Sequence, residues 1–369
     1  MERKRYVYLD LIKSMAIIFV CAYHFSWDLE CTYIPGELTP TVMIHRFLMG
    51  IQSTCIPLFF MANGALLLNK ELDIKNHLKK MGIILFQFWI WRAITFLCLG
   101  SYYNIPLRDL GILKLFNAIF CFGQIDGIFV AHFWFIQVLL GVYIIFPLLH
   151  AGLQVHFHDK NQKNLSAVLF LLFLLCFVVG DIVKFISNFS PANRIDFSGI
   201  NKLNPFQGLM GQMVFYFLLG GILHKKREKL IQVRYTGILV ALFAGLALLF
   251  GEWLVYSFRI SDNWDSVFEG YSTVATVLMS IAVYLLALKL TRNMEGDTYP
   301  SKVINIVGRN TLGVYYIHWI LGYIIVADLK KYIIYGGFFW NCVKAISIAL
   351  VVSAFCNVVK RIPVIGKLL

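Results

Sequence analysis

The chain is organised as long apolar stretches separated by short polar connections. A helix needs about 20 consecutive apolar residues to cross the hydrocarbon core of a bilayer, and ten stretches reach or approach that length. We therefore predict an all-α, polytopic integral membrane protein with about ten transmembrane helices. The predicted spans cover residues 8–27, 42–68, 82–100, 129–150, 165–187, 206–224, 235–256, 267–290, 303–326 and 336–359.

One apolar segment does not fit a span. Residues 105–123 are interrupted by Pro106, Arg108, Asp109 and Lys114. Apolar residues mixed with charges over this length are typical of a helix that lies along the membrane surface. We predict an interfacial helix there.

Composition excludes the soluble classes of protein. Hydrophobic residues make up 59% of the 369 residues and charged residues 14%, whereas a soluble domain is closer to half apolar and a quarter charged. The formal net charge of +13 would suggest nucleic acid in a soluble protein. In a membrane protein this excess of basic residues indicates how the spans are oriented, and it suits an anionic partner. We expect no nucleic-acid partner.

The distribution of basic residues orients the predicted spans. With a cytoplasmic N-terminus, twenty Lys and Arg residues lie on the inner side and eight lie in the outer loops. This bias fits the positive-inside rule with ten spans and both termini in the cytoplasm. The polar connections are too short to form a second domain, so we predict one transmembrane domain over residues 1–369.

Two ionisable residues in the first span share one side of the helix. Lys13 and His24 are eleven residues apart, which is about three helical turns and about 16 Å of rise. Ionisable side chains inside spans are costly and point to function. A snorkelling lysine and a helix-packing histidine are the structural alternative.

Five motifs carry a resemblance to a known family. YLDLIKSMAIIFVCAYH contains Asp10, Lys13 and His24, and this string resembles the first span of the acyltransferase 3 family, with Lys13 where the family usually has arginine. The other motifs, in the family's order, are PLFFMANGALLL (57–68, with Asn63 in the usual serine position), the basic segment 75–91, HFWFIQVLLGVYIIFPLL (132–149) and GRNTLGVYYIH (308–318).

The resemblance implies a membrane-bound O-acyltransferase of the surface-polysaccharide type in a bacterial plasma membrane. Such an enzyme moves an acyl group from cytoplasmic acyl-CoA, without a metal, to a hydroxyl of a cell-surface or lipid-linked glycan. Acetyl is the favoured group and succinyl stays open, as do the acceptor and the oligomeric state. A polysaccharide or small-solute transporter or flippase is the alternative, because intramembrane Arg and His residues suit either class.

The motifs, together with the expected depth of each residue in the membrane, suggest a role for each candidate residue. We predict His24 as general base, because imidazole titrates near neutral pH. Direct transfer is preferred, and a His-acyl intermediate stays open. Structural alternatives are topology signalling for Lys79 and Lys80, snorkelling for Arg46 and Arg92, an interfacial belt for Trp134 and helix packing for His318.

The predicted site residues fall into three sets by role. The predicted sets are His24, Arg46 and Arg92 for catalysis, Asp10, Lys13, Asn63, Lys79, Lys80 and Arg309 for acyl-CoA, and His132, Trp134, Glu252 and His318 for the acceptor.

Overall fold

The computed structural model describes residues 5–30, 39–158, 162–181, 185, 208–259, 264–294, 298–326, 337–363 and 365–369. Within these ranges the regular structure is helical, apart from one isolated β-bridge, as the apolar pattern predicts. The longer helices are α1 (Val7–Glu30), α2 (Pro40–Met49), α3 (Cys55–Leu67), α4 (Ile74–Tyr102), α5 (Ile112–Phe120), α6 (Trp134–His158), α7 (Gln162–Phe173), α8 (Gly208–Lys225), α9 (Tyr235–Arg259), α10 (Val274–Leu290), α11 (Tyr299–Leu321) and α12 (Gly337–Val359).

In the described part of the chain, six segments are long and apolar enough to cross a membrane. Each overlaps one of the ten predicted spans, and the other four predicted spans overlap helices that are shorter or less apolar. The structure therefore supports a multi-pass membrane protein, whereas the total of ten spans and the cytoplasmic position of both ends stay predictions. The six segments are Val7–Phe25, Pro40–Leu67, Ile74–Tyr102, Ala131–Gln154, Tyr235–Phe258 and Phe339–Val359.

Two predicted spans differ in local detail. The span predicted at 42–68 is broken between α2 and α3 by a tight 3-10 segment, Gly50–Thr54. The span predicted at 267–290 begins only at Val274, because the preceding residues form turns. Hydrophobicity alone misses both features, since a break in a helix need not change its apolar character.

Helix α1 lies inside the bundle. It packs against α2, α3, α10, α11 and α12, and residues on different sides of it, among them Ile12, Ile17 and Ala22, are almost completely buried. A helix that is apolar on all sides is expected to be enclosed in this way. The polar residues of α1 are therefore surrounded by protein.

The predicted interfacial segment contains a short amphipathic helix. α5 exposes Ile112 and Leu113, which are 84% and 85% accessible. On the same helix, the ammonium of Lys114 lies 2.9 Å from the Asp126 carboxylate, and this hydrogen bond lowers the pKa of Asp126. The helix is confirmed, and its position at the membrane surface stays a prediction.

Glycines let α3 and α8 approach each other closely. A Cβ atom added to Gly64 would lie 1.8 Å from the carbonyl oxygen of Phe217, and one added to Gly220 would lie 2.0 Å from that of Met61. Small residues at such contacts are the usual means by which membrane helices pack backbone to backbone. The pair forms a rigid wall beside α1, which packs on α3.

We expect Gly64→Ala to destabilise the protein by about 1–3 kcal/mol or more, because the new methyl group would collide with backbone that cannot move aside. Thermal unfolding of the purified protein would measure the loss. Gly82→Ala on α4 is the matched control, since a Cβ there meets nothing within 4 Å. Equal unfolding temperatures for the two variants would contradict the close packing.

Candidate active site

A pocket of about 540 Å³ opens where α1, α4, α6 and α11 meet. This volume is typical of small-molecule sites. It lies at the end of the bundle that we predict to face outward. Its wall combines aromatic rings with polar groups, which are Tyr23, His24, Arg92, Gln124, His132, Trp134, Gln137, Asp265, Phe268 and Trp319, together with Phe122 and residues 129–131 and 133.

His24, in this wall, forms a hydrogen-bonded pair with His318, which does not line the pocket. His24 Nδ1 lies 2.9 Å from His318 Nε2, and the two rings stack with centroids 5.1 Å apart. His318 Nδ1 in turn lies 3.1 Å from the Val314 carbonyl oxygen, one turn earlier on α11. His318 is fully buried behind His24, whereas His24 lines the pocket.

His132 places a third imidazole in the same pocket. Its ring stacks on the indole of Trp319 with centroids 4.2 Å apart, and the residue is buried. Neither ring nitrogen has a hydrogen-bond partner among the described residues. An unsatisfied buried polar group is costly, so this side chain is suited to receive a polar atom of a ligand.

Trp319 connects these groups to the loop that follows α5. Its indole nitrogen donates a hydrogen bond of 3.0 Å to the Phe129 carbonyl oxygen. Its ring meets His24 edge to face, with centroids 4.8 Å apart. One aromatic side chain thus orients both pocket histidines.

Arg92 lines the pocket but is largely engaged with the backbone. Its Nε and Nη2 atoms donate to the Ala118 carbonyl oxygen at 2.8 and 2.6 Å, and Nη2 also donates to Gly123 at 2.6 Å. The guanidinium therefore holds the end of α5 and the loop after it against α4. Its catalytic role stays a prediction, and the geometry adds a structural role.

Arg46 and Glu252 lie outside the pocket that His24 lines. The Arg46 guanidinium is buried 5.2 Å above the ring of Trp253 on α9, and Glu252 is the residue before that tryptophan. Neither residue lines the pocket with His24. Trp134 does line it, and it packs against Phe268 and Tyr271.

The residues predicted for acyl-CoA lie outside the pocket. Asp10 accepts from Lys13 at 2.8 Å and from Arg5 at 2.6 Å. It packs against Gly308, the neighbour of the exposed Arg309. Lys79 and Lys80 are exposed on α4.

Asn63 joins two helices rather than facing Asp10 and Lys13. It donates to Phe59 within α3 and accepts a hydrogen bond of 2.8 Å from the Tyr143 hydroxyl of α6. The structure thus brings together Asp10 and Lys13, with Arg309 close by, and places Asn63 in a helix-packing contact.

Sequence reasoning missed Asp265. The hydroxyl of Tyr23 donates to this carboxylate, and the amides of Val267 and Phe268 donate to it as well. Asp265 lines the same pocket. It lies in a turn before a span, where charge is unremarkable, and only its sequence context of aromatic residues could have signalled it.

The chain matches a known protein family over most of its length. A family model described as an acyltransferase domain matches residues 6–358, and the chain belongs to the acyltransferase 3 family. No curated protein and no solved structure matches the chain significantly. Among the described residues no group of three or more His, Cys, Asp or Glu side chains is arranged to hold a metal ion.

The Arg92 contacts predict how the loop responds to substitution. We expect Arg92→Lys to loosen residues 118–134, because an ammonium cannot hold both carbonyl oxygens with the fixed fork of a guanidinium. Hydrogen exchange of these amides should accelerate by about tenfold or more, for the loss of about 1.5–3 kcal/mol. Arg108→Lys, at an exposed position, is the control. Unchanged exchange in Arg92→Lys would contradict the structural role.

Proposed function

We propose that the protein is a membrane-embedded O-acyltransferase that moves an acyl group, acetyl in the first instance, from cytoplasmic acyl-CoA to a sugar hydroxyl. The observation that carries the proposal is the position of His24, which lines a pocket with polar and aromatic walls in a chain of an acyltransferase family. The acceptor would be a cell-surface or lipid-linked glycan that reaches the pocket from the outer side. No observation favours the transporter alternative.

In the proposed reaction His24 acts as general base. Its Nε2 takes the proton of the acceptor hydroxyl as the oxygen attacks the thioester carbonyl carbon. The tetrahedral intermediate then expels the CoA thiolate, which takes that proton from His24. Direct transfer needs no covalent enzyme intermediate, and we retain it over an acyl-histidine for that reason.

We assign stabilisation of the oxyanion to His132 rather than to the arginines. A hydrogen-bond donor aimed at the developing charge stabilises the transition state most when it does not first have to break another hydrogen bond. The ring nitrogens of His132 have none among the described residues, whereas Arg92 already donates to two carbonyls. Arg46 lies outside the pocket and enters no proposed step.

The acceptor side of the pocket suits a pyranose. Trp134 and Phe268 offer aromatic faces, on which sugar C–H groups stack. Asp265, Gln124 and Gln137 offer hydrogen-bonding groups for hydroxyls. Aromatic walls with a few placed polar groups are the usual make-up of a small-ligand site.

The donor would extend along α1 from the inner side. Lys13 and Arg309 lie at that end, with Lys79 and Lys80 exposed on α4, and basic residues suit the phosphates of CoA. The rise of about 16 Å from Lys13 to His24 allows a pantetheine arm to bring the thioester to the base. Transfer across the membrane would then not require CoA itself to cross.

Labelled acetyl-CoA and a panel of free and lipid-linked glycans would test the proposal on protein in lipid nanodiscs, where both faces are accessible. We expect His24→Ala to lower the transfer rate by about 10²- to 10⁴-fold, because the general base is lost. His45→Ala, on α2 and outside the pocket, is the control. Succinyl-CoA tests the choice of acyl group.

Transfer by His24→Ala at the wild-type rate would contradict the role of the base. If the wild-type protein neither bound acyl-CoA nor transferred an acyl group to any acceptor, the enzyme assignment itself would be wrong.

We expect Asp265→Asn to raise the KM for the acceptor about tenfold or more, since a hydrogen bond to a charged group contributes about 1.5–3 kcal/mol. The KM for acyl-CoA should not change. Initial rates with each substrate varied in turn measure both values. Asp126→Asn, at an exposed carboxylate beside Lys114, is the control. A rise confined to the KM for acyl-CoA would place Asp265 on the donor side instead.

A further inference from the structure

We infer that His318 is a positioning residue that fixes the tautomer of His24, so that the unprotonated Nε2 of His24 faces the pocket. The inference rests on the proposed function, in which His24 is the base. It changes the role of His318, which the sequence placed among acceptor-binding residues. His318 is fully buried and is not part of the pocket wall, so it acts through His24.

The first step concerns His318 itself. Its Nδ1 lies 3.1 Å from the Val314 carbonyl oxygen, and a carbonyl oxygen can only accept. Nδ1 therefore carries a proton. Burial disfavours a charged ring, and a neutral imidazole carries one proton, so Nε2 of His318 must present a lone pair.

The second step passes this constraint to His24. The 2.9 Å contact joins His24 Nδ1 to His318 Nε2, and one of the two nitrogens must donate. Since His318 Nε2 can only accept, His24 Nδ1 is the donor. The single proton of a neutral His24 thus sits on Nδ1, and Nε2 keeps its lone pair.

The third step concerns what Nε2 faces. The Nε2 atom of His24 makes no hydrogen bond within the part of the chain that the structure describes, and His24 lines the pocket. The opposite tautomer would direct two lone pairs at each other across 2.9 Å and would present a proton, rather than a lone pair, to the acceptor hydroxyl. Only the tautomer set by His318 can act as a base there.

The same bond serves the next stage of the reaction. When His24 takes the hydroxyl proton it becomes an imidazolium, and its Nδ1–H still donates to the neutral His318. A charge-assisted hydrogen bond of this kind is stronger than a neutral one. His318 therefore both orients the base and stabilises the cation that forms on it.

Nitrogen-15 solid-state NMR of histidine-labelled wild-type protein in lipid tests the tautomer without any substitution in His318. The signals that disappear in His24→Asn identify His24. We expect a protonated Nδ1 and an unprotonated Nε2. A proton on Nε2 would overturn the inference.

Two substitutions at His318 separate positioning from packing. The amide of His318→Asn reaches the place of Nδ1 and can keep the bond to Val314, but it leaves His24 without an acceptor. We expect kcat to fall about 10- to 100-fold, with both KM values within about twofold and with a mixture of His24 tautomers. His318→Gln places an amide at the position of Nε2, and we expect it to restore most of kcat.

His77→Asn is the matched control for packing. His77 on α4 joins two helices through a 2.8 Å bond to the Tyr143 carbonyl oxygen and does not line the pocket. We expect its loss to lower the unfolding temperature and to leave kcat per folded molecule unchanged.

An unchanged His24 tautomer and an unchanged kcat in His318→Asn would overturn the inference. If the wild-type protein transferred no acyl group, the proposed function would fail, whereas the tautomer seen by NMR would still decide whether His318 orients His24. The two failures are therefore distinguishable.

Discussion

The enclosure of α1 is the constraint on which the rest of the site depends. This helix packs against α2, α3, α10, α11 and α12, and a buried polar group there must find its partner within the protein. Asp10 accordingly pairs with Arg5 and Lys13. The hydroxyl of Ser14 bonds to a backbone carbonyl one turn earlier, and His24 bonds to His318. These polar positions on α1 are each fixed by a contact, and fixed groups are what catalysis requires.

The pocket shows how aromatic residues bear on selectivity. A thioester beside a general base reacts with water as well as with a sugar hydroxyl. Rings of Phe122, Trp134, Phe268 and Trp319 line part of the space around His24, and their faces hold water only weakly. An acceptor that covers these rings would displace the remaining solvent before transfer.

Much of the fold follows from the sequence, because the apolar pattern responds to the bilayer. The pattern predicts the helical class, the approximate positions of the six long apolar segments, and the short amphipathic helix α5. It does not reveal the break at Gly50–Thr54 or the late start of α10 at Val274. Those features depend on hydrogen bonds and turns, which leave hydropathy unchanged.

The site is less accessible to such reasoning, since it depends on pairing between distant residues. The motifs single out His24, His132 and His318, and these three do lie together. They do not show that Arg92 donates to carbonyl oxygens or that Arg46 lies over Trp253. A buried arginine looks the same in a sequence whether it faces a ligand or a backbone. Asp265 is missed for the converse reason, because its turn becomes part of the pocket only in three dimensions.

The contact at Gly308 has a mechanical consequence. A Cβ atom there would lie 2.7 Å from that of Asp10, so α1 and α11 touch almost backbone to backbone. The two helices meet again at His24 and His318, ten residues or about 15 Å further along α11. Two such points of contact fix the alignment of the helices, so sliding of one helix past the other would strain the hydrogen bond between the imidazoles. Acyl transfer would therefore depend on the shear between two helices as much as on the basicity of one ring.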